Sequence, residues 1–431
     1  MATSTSLTDF AITILRNAAT IEDFFKANEA IPRPSFSPDG PPAFPCPPEA
    51  TDIYQARETM LDAAKKLYQL ALGPVESLFE LTLRCHDSAS LHTIYRFNIA
   101  GQIPLDGEKS FTEIAQAIKI DEDRVRRILR LAMCNGLFKE PRPGFVAHTG
   151  MSAIMAQDVI SVNAVVGHVI DDIYPASCKV ADSIEKYPEP KDRLVETPFG
   201  LAFDTKEPFF NYIEKHPHRV NRFHQAMKAL NSSGPCSGET MAKGYDWSPW
   251  KDGTFVDVGG STGHTTLKIA QNSQIASFVV QDFSADEVTK SQSQLAPEHQ
   301  GRVTFMQHDF FKPQPVKGAD AYFFRLIFHD WPDKECVQIL RNHVPAMKQG
   351  ASILVCDLLL PEPNTVPMRV EKEMRNSDLH MLCLNGSCER DIGAWERLFA
   401  EADARFKLVG AKQPHGQALS IVEARWEELE N

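Results

Sequence analysis

TFVDVGGSTGH, residues 254–264, decides the architecture of this chain. A short apolar run ending at Val258 passes into a glycine-rich turn and then into HTTLKIA, which has helical spacing. Strand, glycine turn and helix in that order let backbone approach a ligand closely and aim the helix's N–H groups at it. A dinucleotide fingerprint would need glycines at 259, 261 and 264, where the chain has Gly259, Ser261 and His264, so a nicotinamide cofactor fits poorly. Asp257, just ahead of the turn, would repel a pyrophosphate and suits a ligand with an amino group and a positive centre.

Further short apolar runs follow at 278–281, 303–307, 321–324, 352–356, 406–409 and 418–422, separated by helical stretches. That alternation predicts an α/β fold in which a parallel sheet is covered on both faces and ligands bind at the strands' carboxyl ends. Those ends carry the chemistry. Asp282 closes the second run, 19 residues after Gly263, where a ribose diol would donate to a carboxylate. Asp309 and Phe310 follow the third and offer a carboxylate and an aromatic face to an adenine. The fourth runs into FRLIFHDWP, which places His329 at the sheet's carboxyl edge, with Pro332 expected as the first residue of a helix. Asp357 closes the fifth, and Glu389 lies in the loop NGSCER. A histidine flanked by two carboxylates is a general-base arrangement, the acids orienting the ring and stabilising its protonated form.

The rest of the chain reads as mostly helical. Phe10, Ile14, Ala18 and Ile21 fall near one face of an initial helix. Residues 31–48 contain eight prolines and read as an extended linker. Ser110 to Glu113 has capping-box spacing, Asp121 opens a second helix, Asn135-Gly136 closes it, and Pro141–Gly144 is a turn between short apolar pieces, the winged-helix order. Aromatic and aliphatic stripes, Phe209, Tyr212 and Ile213, then Val220, Phe223, Met227 and Leu230, mark a third region. The expected division is 1–50 for the initial helix and linker, 51–158 for the winged-helix-like module, 159–245 for a helical pocket segment and 246–431 for the α/β domain.

Composition narrows the partners. A formal charge of −12 argues against nucleic acid and anionic membrane, which select basic surfaces. Arg124, Arg126, Arg127 and Arg130 decorate the second helix of the winged module, but no other basic cluster supports a DNA reader. No apolar run reaches the ~18 residues of a membrane span, and the start lacks the basic and small-residue pattern of a secretory signal. Nine cysteines without a CxxC pair suggest reduced thiols and a cytoplasmic protein. Cys383 and Cys388 have no second pair to complete a zinc site, so no metal is expected.

DVGGSTGH, VVQDF, HDFF, FFRLIFHDWPD, the acid after SILVC and MLCLNGSCER occur in one order. As a set they resemble the S-adenosylmethionine-dependent O-methyltransferases of plant caffeic-acid type and of fungal secondary metabolism, over roughly residues 80–425. The resemblance implies a Rossmann-like methyltransferase sheet behind a winged-helix-like dimerisation domain, and a homodimer. It implies cofactor contacts from Gly259, Asp282, Asp309, Phe310 and Arg325, to which Asp257 and Gly260 of the turn are added as candidates, a base at His329 bracketed by Asp357 and Glu389, and acceptor contacts from Met381 and Asn385. His168 and Met227 are further acceptor-side candidates. The chain departs from the usual pattern at Ser261, which replaces a glycine, at Arg325, which replaces a lysine, and at Asp357, one methylene shorter than the usual glutamate. The implied reaction is methyl transfer to a phenolic or enolic hydroxyl of a small secondary metabolite. The alternative is a relative that binds S-adenosylmethionine yet catalyses dehydration or pericyclic ring closure, since fold does not fix chemistry.

Overall fold

A computed structural model describes residues 6–47, 49–232, 236–414 and 416–428. The chain divides into two units: one runs to Asp171 and adds Arg222–Ala226 and Val366–Val370, and the other comprises Asp172–Asn221, Met227–Thr365 and the residues from Glu371 on.

In the first unit, the helix Leu7–Ala27 buries Ile21 and Phe25 and packs on a long helix, Thr51–Arg96, broken at Gly73 and Pro74. Gly73 takes φ +78°, and Pro74 cannot donate to the helical ladder. The prolines of 31–47 do keep the segment free of helix and strand, but it is no free spacer. Phe44 packs edge-on to Phe25 and Tyr54, and the Phe36 carbonyl accepts the Gly150 N–H at 2.8 Å. Phe44 gains by leaving water, whereas Phe36 is held only through its main chain and stays 94% exposed.

The winged module forms as its caps dictate. Ser110 and Glu113 make a reciprocal capping box on the helix Phe111–Ile118, and Asp121 caps Glu122–Cys134. A small sheet of β1 (Glu108–Ser110) and β2 (Phe145–Ala147), antiparallel, forms the wing. The basic face is largely neutralised within the module: Arg126 pairs with Glu122, Arg127 lies 3.7 Å from Asp123, and Arg130 grips Glu140 through two bonds of 3.0 Å. Among the described residues no single helix is long and apolar enough to cross a membrane.

The second unit holds a seven-stranded sheet: β3 (Thr254–Val258), β4 (Ser277–Asp282), β5 (Val303–Gln307), β6 (Ala321–Arg325), β7 (Ser352–Asp357), β8 (Phe406–Lys412) and β9 (Ser420–Trp426), in the order β5-β4-β3-β6-β7-β9-β8. β3 to β7 run parallel to one another, but β9 runs antiparallel to both β7 and β8. The fully parallel sheet expected from apolar patterning is therefore corrected at its last two strands. Residues 413–419 are too few for the crossover of a dozen or more residues that parallel pairing needs.

The middle of the sheet is buried on both faces, with Tyr322, Phe323, Phe324 and Ile353 to Cys356 all inaccessible to solvent. One face packs on Ile339, Leu340, Trp395 and Phe399, the other on Met241, Trp247, Ile269 and Ala270. From β3 the chain adds β4 and β5 on one side and then returns to place β6 on the other. That reversal opens a crevice at the carboxyl end of β3, where the glycine turn lies.

Candidate active site

The glycine turn leaves no space for side chains. Gly259 has φ +78°, and a Cβ there would stand 2.7 Å from Ile327 Cδ1; one on Gly260 would stand 2.4 Å from Asp257 Oδ2. Asp257 lies beneath the turn, accepting a 2.5 Å bond from Thr266, and burial pushes its carboxyl up to about 6. Ser261 takes the left-handed φ of +51° that glycine would adopt without strain. It is held there by its N–H, which donates to Asp282 at 3.0 Å, and by its hydroxyl, which donates to Glu287 at 3.0 Å. Asp282 also accepts from the Ser284 N–H at 2.9 Å, while burial keeps its carboxyl above the usual range. The neighbouring strand end is tied on by the His308 N–H, which donates to the Asp282 carbonyl at 2.9 Å. Beyond it, Asp309 accepts from the Phe311 N–H, and Phe310 packs edge-on to Trp331. Arg325, at the end of β6, donates to Asn231 at 3.0 Å and to the Cys236 carbonyl at 2.5 Å.

The acids and the histidine meet on the other side of β6. His329 sits in a single 3₁₀ turn, Phe328–Asp330, and its side chain is 14% exposed. Its Nδ1 lies 3.0 Å from Glu389 Oε1, which also accepts from Ser377 at 2.8 Å. Nε2 stands 4.0 Å from Asp330 Oδ1, too far for a hydrogen bond. Asp357 reaches the turn through the main chain, accepting the His329 N–H at 3.2 Å rather than touching the ring. Burial opposes charge on the imidazole, but the carboxylates of Asp330, Glu389 and Asp357 outweigh it and raise the ring's pKa to about 10. Burial in turn pushes Asp330 up to about 6.

Several contributors escape a reading of the sequence. Asp330 is a third acid beside the ring, and Asn385 donates to it at 3.1 Å. Arg390, 3% exposed, donates to the carbonyls of Phe328 and Trp331 at 3.0 and 2.9 Å, bracketing the histidine turn. Ser387 donates to the His329 carbonyl at 2.5 Å. Pro332 turns out to be the N-cap of the helix Asp333–His343, not its first residue, because its ψ of 161° is extended. A cavity of about 500 Å³ lined by 190–194, 332–335 and 386–388 abuts this turn, but the acids around the ring do not line it.

The family comparison decides what this arrangement belongs to. The profile of the O-methyltransferase domain matches residues 182–405, and that of the O-methyltransferase dimerisation domain matches 79–158. The chain belongs to the S-adenosylmethionine-dependent O-methyltransferases. It is 36% identical over 419 residues to the grayanic acid biosynthesis cluster O-methyltransferase of Cladonia grayi, spanning 97% of this chain and 87% of that one. It is 34% identical over 427 residues to a chlorophenol O-methyltransferase of Trichoderma longibrachiatum, spanning 97% and 90%. Among solved structures, OxaC superposes with a TM-score of 0.76 at 22% identity, over 98% of this chain and 99% of that one. LepI in complex with S-adenosylmethionine gives a TM-score of 0.69 at 22% identity, over 86% and 94%. At that identity the two structures share the fold.

This methyltransferase's strand ends fit the cofactor. Gly259 and Gly260 keep the turn as bare main chain packed against Ile327 and Asp257, and Asp282 and Asp309 stand at the next two strand ends in the order of the expected ribose and adenine contacts. All the expected cofactor and base residues, with Met227, Met381 and Asn385, belong to the second unit. His168 belongs to the first, buried and edge-on to Phe223 at 5.3 Å.

Two substitutions test the cofactor contacts. Gly260→Ala should abolish S-adenosylmethionine binding while leaving an intact α/β spectrum. Asp282→Ala should weaken it by about 1.5–3 kcal/mol, as for a hydrogen bond to a charged group. Titration calorimetry reads both, and an unchanged affinity for Asp282→Ala would move the ribose elsewhere.

Proposed function

We propose that His329 is the general base for methyl transfer to a phenolic or enolic hydroxyl of a small secondary metabolite. The observation that carries this reading is the one-sided engagement of the ring. In the neutral ring, with Nδ1–H donating to Glu389, the lone pair falls on Nε2, which no hydrogen bond occupies. Bound S-adenosylmethionine supplies an electrophilic methyl carbon, to which the acceptor oxygen bonds as the carbon–sulfur bond breaks. Nε2 takes the hydroxyl proton during that attack, a contribution of about 10²–10⁴-fold. A ring with pKa about 10 matches a phenol, itself near ~10, so the transfer is close to thermoneutral.

Glu389 fixes the tautomer, and Asp357 with Arg390 fixes the turn that carries the ring. Met227, Met381 and Asn385 are assigned to the acceptor side; Asn385 acts there through Asp330. The chlorophenol specificity in the name of a relative fits a phenolic acceptor. The dimerisation domain supports a homodimer, and so does the run of exposed apolar side chains at Val75, Leu78, Phe79, Leu81 and Leu83, each at least 58% exposed.

His329→Ala should lower turnover by about 10² or more with cofactor affinity nearly unchanged, and part of the rate should return as pH nears the acceptor's own pKa. Full neutral-pH activity in that variant would displace the base, and a wild-type product that is isomerised or dehydrated with cofactor unspent would select the non-methylating alternative. Because the folded ring's pKa is raised, it is charged at neutral pH and accepts a proton only once it has lost one. Wild-type kcat/KM should therefore climb from pH 7 towards pH 10. Glu389→Gln removes one of the carboxylates that raise the ring's pKa, so its rising limb should move to lower pH with a reduced maximum. Light scattering should give twice the 48.2 kDa chain mass, and Phe79→Glu should shift it towards monomer.

A further inference from the structure

Three segments that form the cofactor crevice come from distant parts of the chain, and one buried side-chain pair joins them. Gln281 immediately precedes Asp282 in β4 and is wholly buried; Gln314 is 2% exposed. Their amides bond reciprocally: Gln281 Nε2 donates to Gln314 Oε1 at 2.8 Å, and Gln314 Nε2 donates to Gln281 Oε1 at 2.9 Å. The main chain of Gln281 faces the glycine turn, its carbonyl accepting the N–H groups of both Gly259 and Gly260 at 2.9 Å. Gln314 closes the loop that carries Asp309 and Phe310. Its Oε1 accepts the Val316 N–H, and its second amide hydrogen goes to His343 Nε2 at 3.1 Å. His343 Nδ1–H donates to the Ile339 carbonyl at 2.8 Å, which leaves Nε2 as the acceptor. The loop is tied a second time to the same helix, where Asn342 donates to the Phe310 carbonyl at 3.1 Å and accepts the Gln314 N–H at 2.9 Å.

A reciprocal amide pair out of solvent is directional and fully satisfied, whereas apolar contacts at the same place would let the loop slide. We propose that Gln281 and Gln314 are positioning residues for S-adenosylmethionine: the amide pair fixes the loop bearing Asp309 and Phe310 to the strand end that bears Asp282 and holds the glycine turn. The inference rests on reading those strand ends as the cofactor site. Neither glutamine touches the acceptor or the reacting atoms; each acts through the segments it joins.

The test separates positioning from mere stability. Replacing one amide strands its buried partner, whereas replacing both removes that mismatch and leaves only the Val316 N–H and His343 Nε2 without the bonds Gln314 gives them. Gln314→Met should lose both stability and cofactor affinity. Gln281→Met/Gln314→Met should regain the part of the stability lost to the stranded amide of Gln281, by urea unfolding, yet still bind S-adenosylmethionine about tenfold more weakly by calorimetry. In the cofactor-free double variant, amide hydrogen exchange should quicken at 259–261 and at 308–312, while exchange in β7 stays as in wild type. At saturating cofactor, kcat and the acceptor KM should stay near wild type. Affinity that returns with stability in the double variant would overturn the proposal. Asp282→Ala serves as the control: if it loses affinity and the double variant does not, the amide pair alone is refuted, and if it keeps affinity the site itself lies elsewhere.

Discussion

Reversal of the strand order at β3 is the constraint on which the functional end of the second unit depends. Because β4 and β6 lie on opposite sides of β3, the helix that follows the glycine turn and the segment that follows β6 diverge, and the crevice between them is lined by main chain. Residues that stand at consecutive strand ends, Asp257, Asp282 and Asp309 on one side and Arg325 on the other, then face a common region although up to 68 positions separate them in sequence. Rigidity comes from the sheet's middle, where Tyr322, Phe323 and Phe324 are enclosed on both faces. A side chain rooted in that layer has little room to wander, which is what a methyl-transfer site needs if oxygen and carbon are to be held in line.

Electrostatics at the histidine turn work in the opposite sense to packing. Asp330, Asp357 and Glu389 are brought together in a poorly solvated place, where burial and the neighbouring like charges push the carboxyls of Asp330 and Asp357 up. The imidazole relieves this by carrying a positive charge among them, and Arg390 adds a second cation that holds the turn by its carbonyls. The shorter acid at 357 bonds the main-chain N–H of His329 and not the ring. Ring orientation falls to Glu389, which Ser377 and the Asp378 side chain steady in turn.

Much of this is legible in the sequence, for identifiable reasons. Buried parallel strands are continuous apolar runs, so the runs at 254–258, 278–281 and 352–356 stand out and the acids that close them can be placed at strand ends. Caps are equally readable, as Ser110 and Asp121 show, because a short side chain must satisfy specific backbone N–H groups. Strand direction is not written in hydrophobicity, which is why β8 and β9 needed the shortness of 413–419 to reveal their antiparallel course. Asp330 is hidden because its place beside Nε2 depends on the 3₁₀ geometry of its turn. The Gln281–Gln314 pair and the hold of Arg390 on Phe328 are hidden because their partners lie 33 and 62 positions apart.

His343 has one more consequence, for the acid tolerance of the fold. Its imidazole is wholly enclosed between the rings of Tyr322 and Phe324, and burial lowers its pKa to about 4. An unfolded chain would take up a proton at this residue near pH ~6.5, while the native interior refuses it. Between pH 6.5 and 4, therefore, acid acts at this residue on the denatured state alone, and its contribution shifts the balance towards that state by about 1.4 kcal/mol per unit of falling pH. The residue that completes the bonding of the loop bearing Asp309 and Phe310 thus also brings an acid-labile contribution to the packing against the sheet.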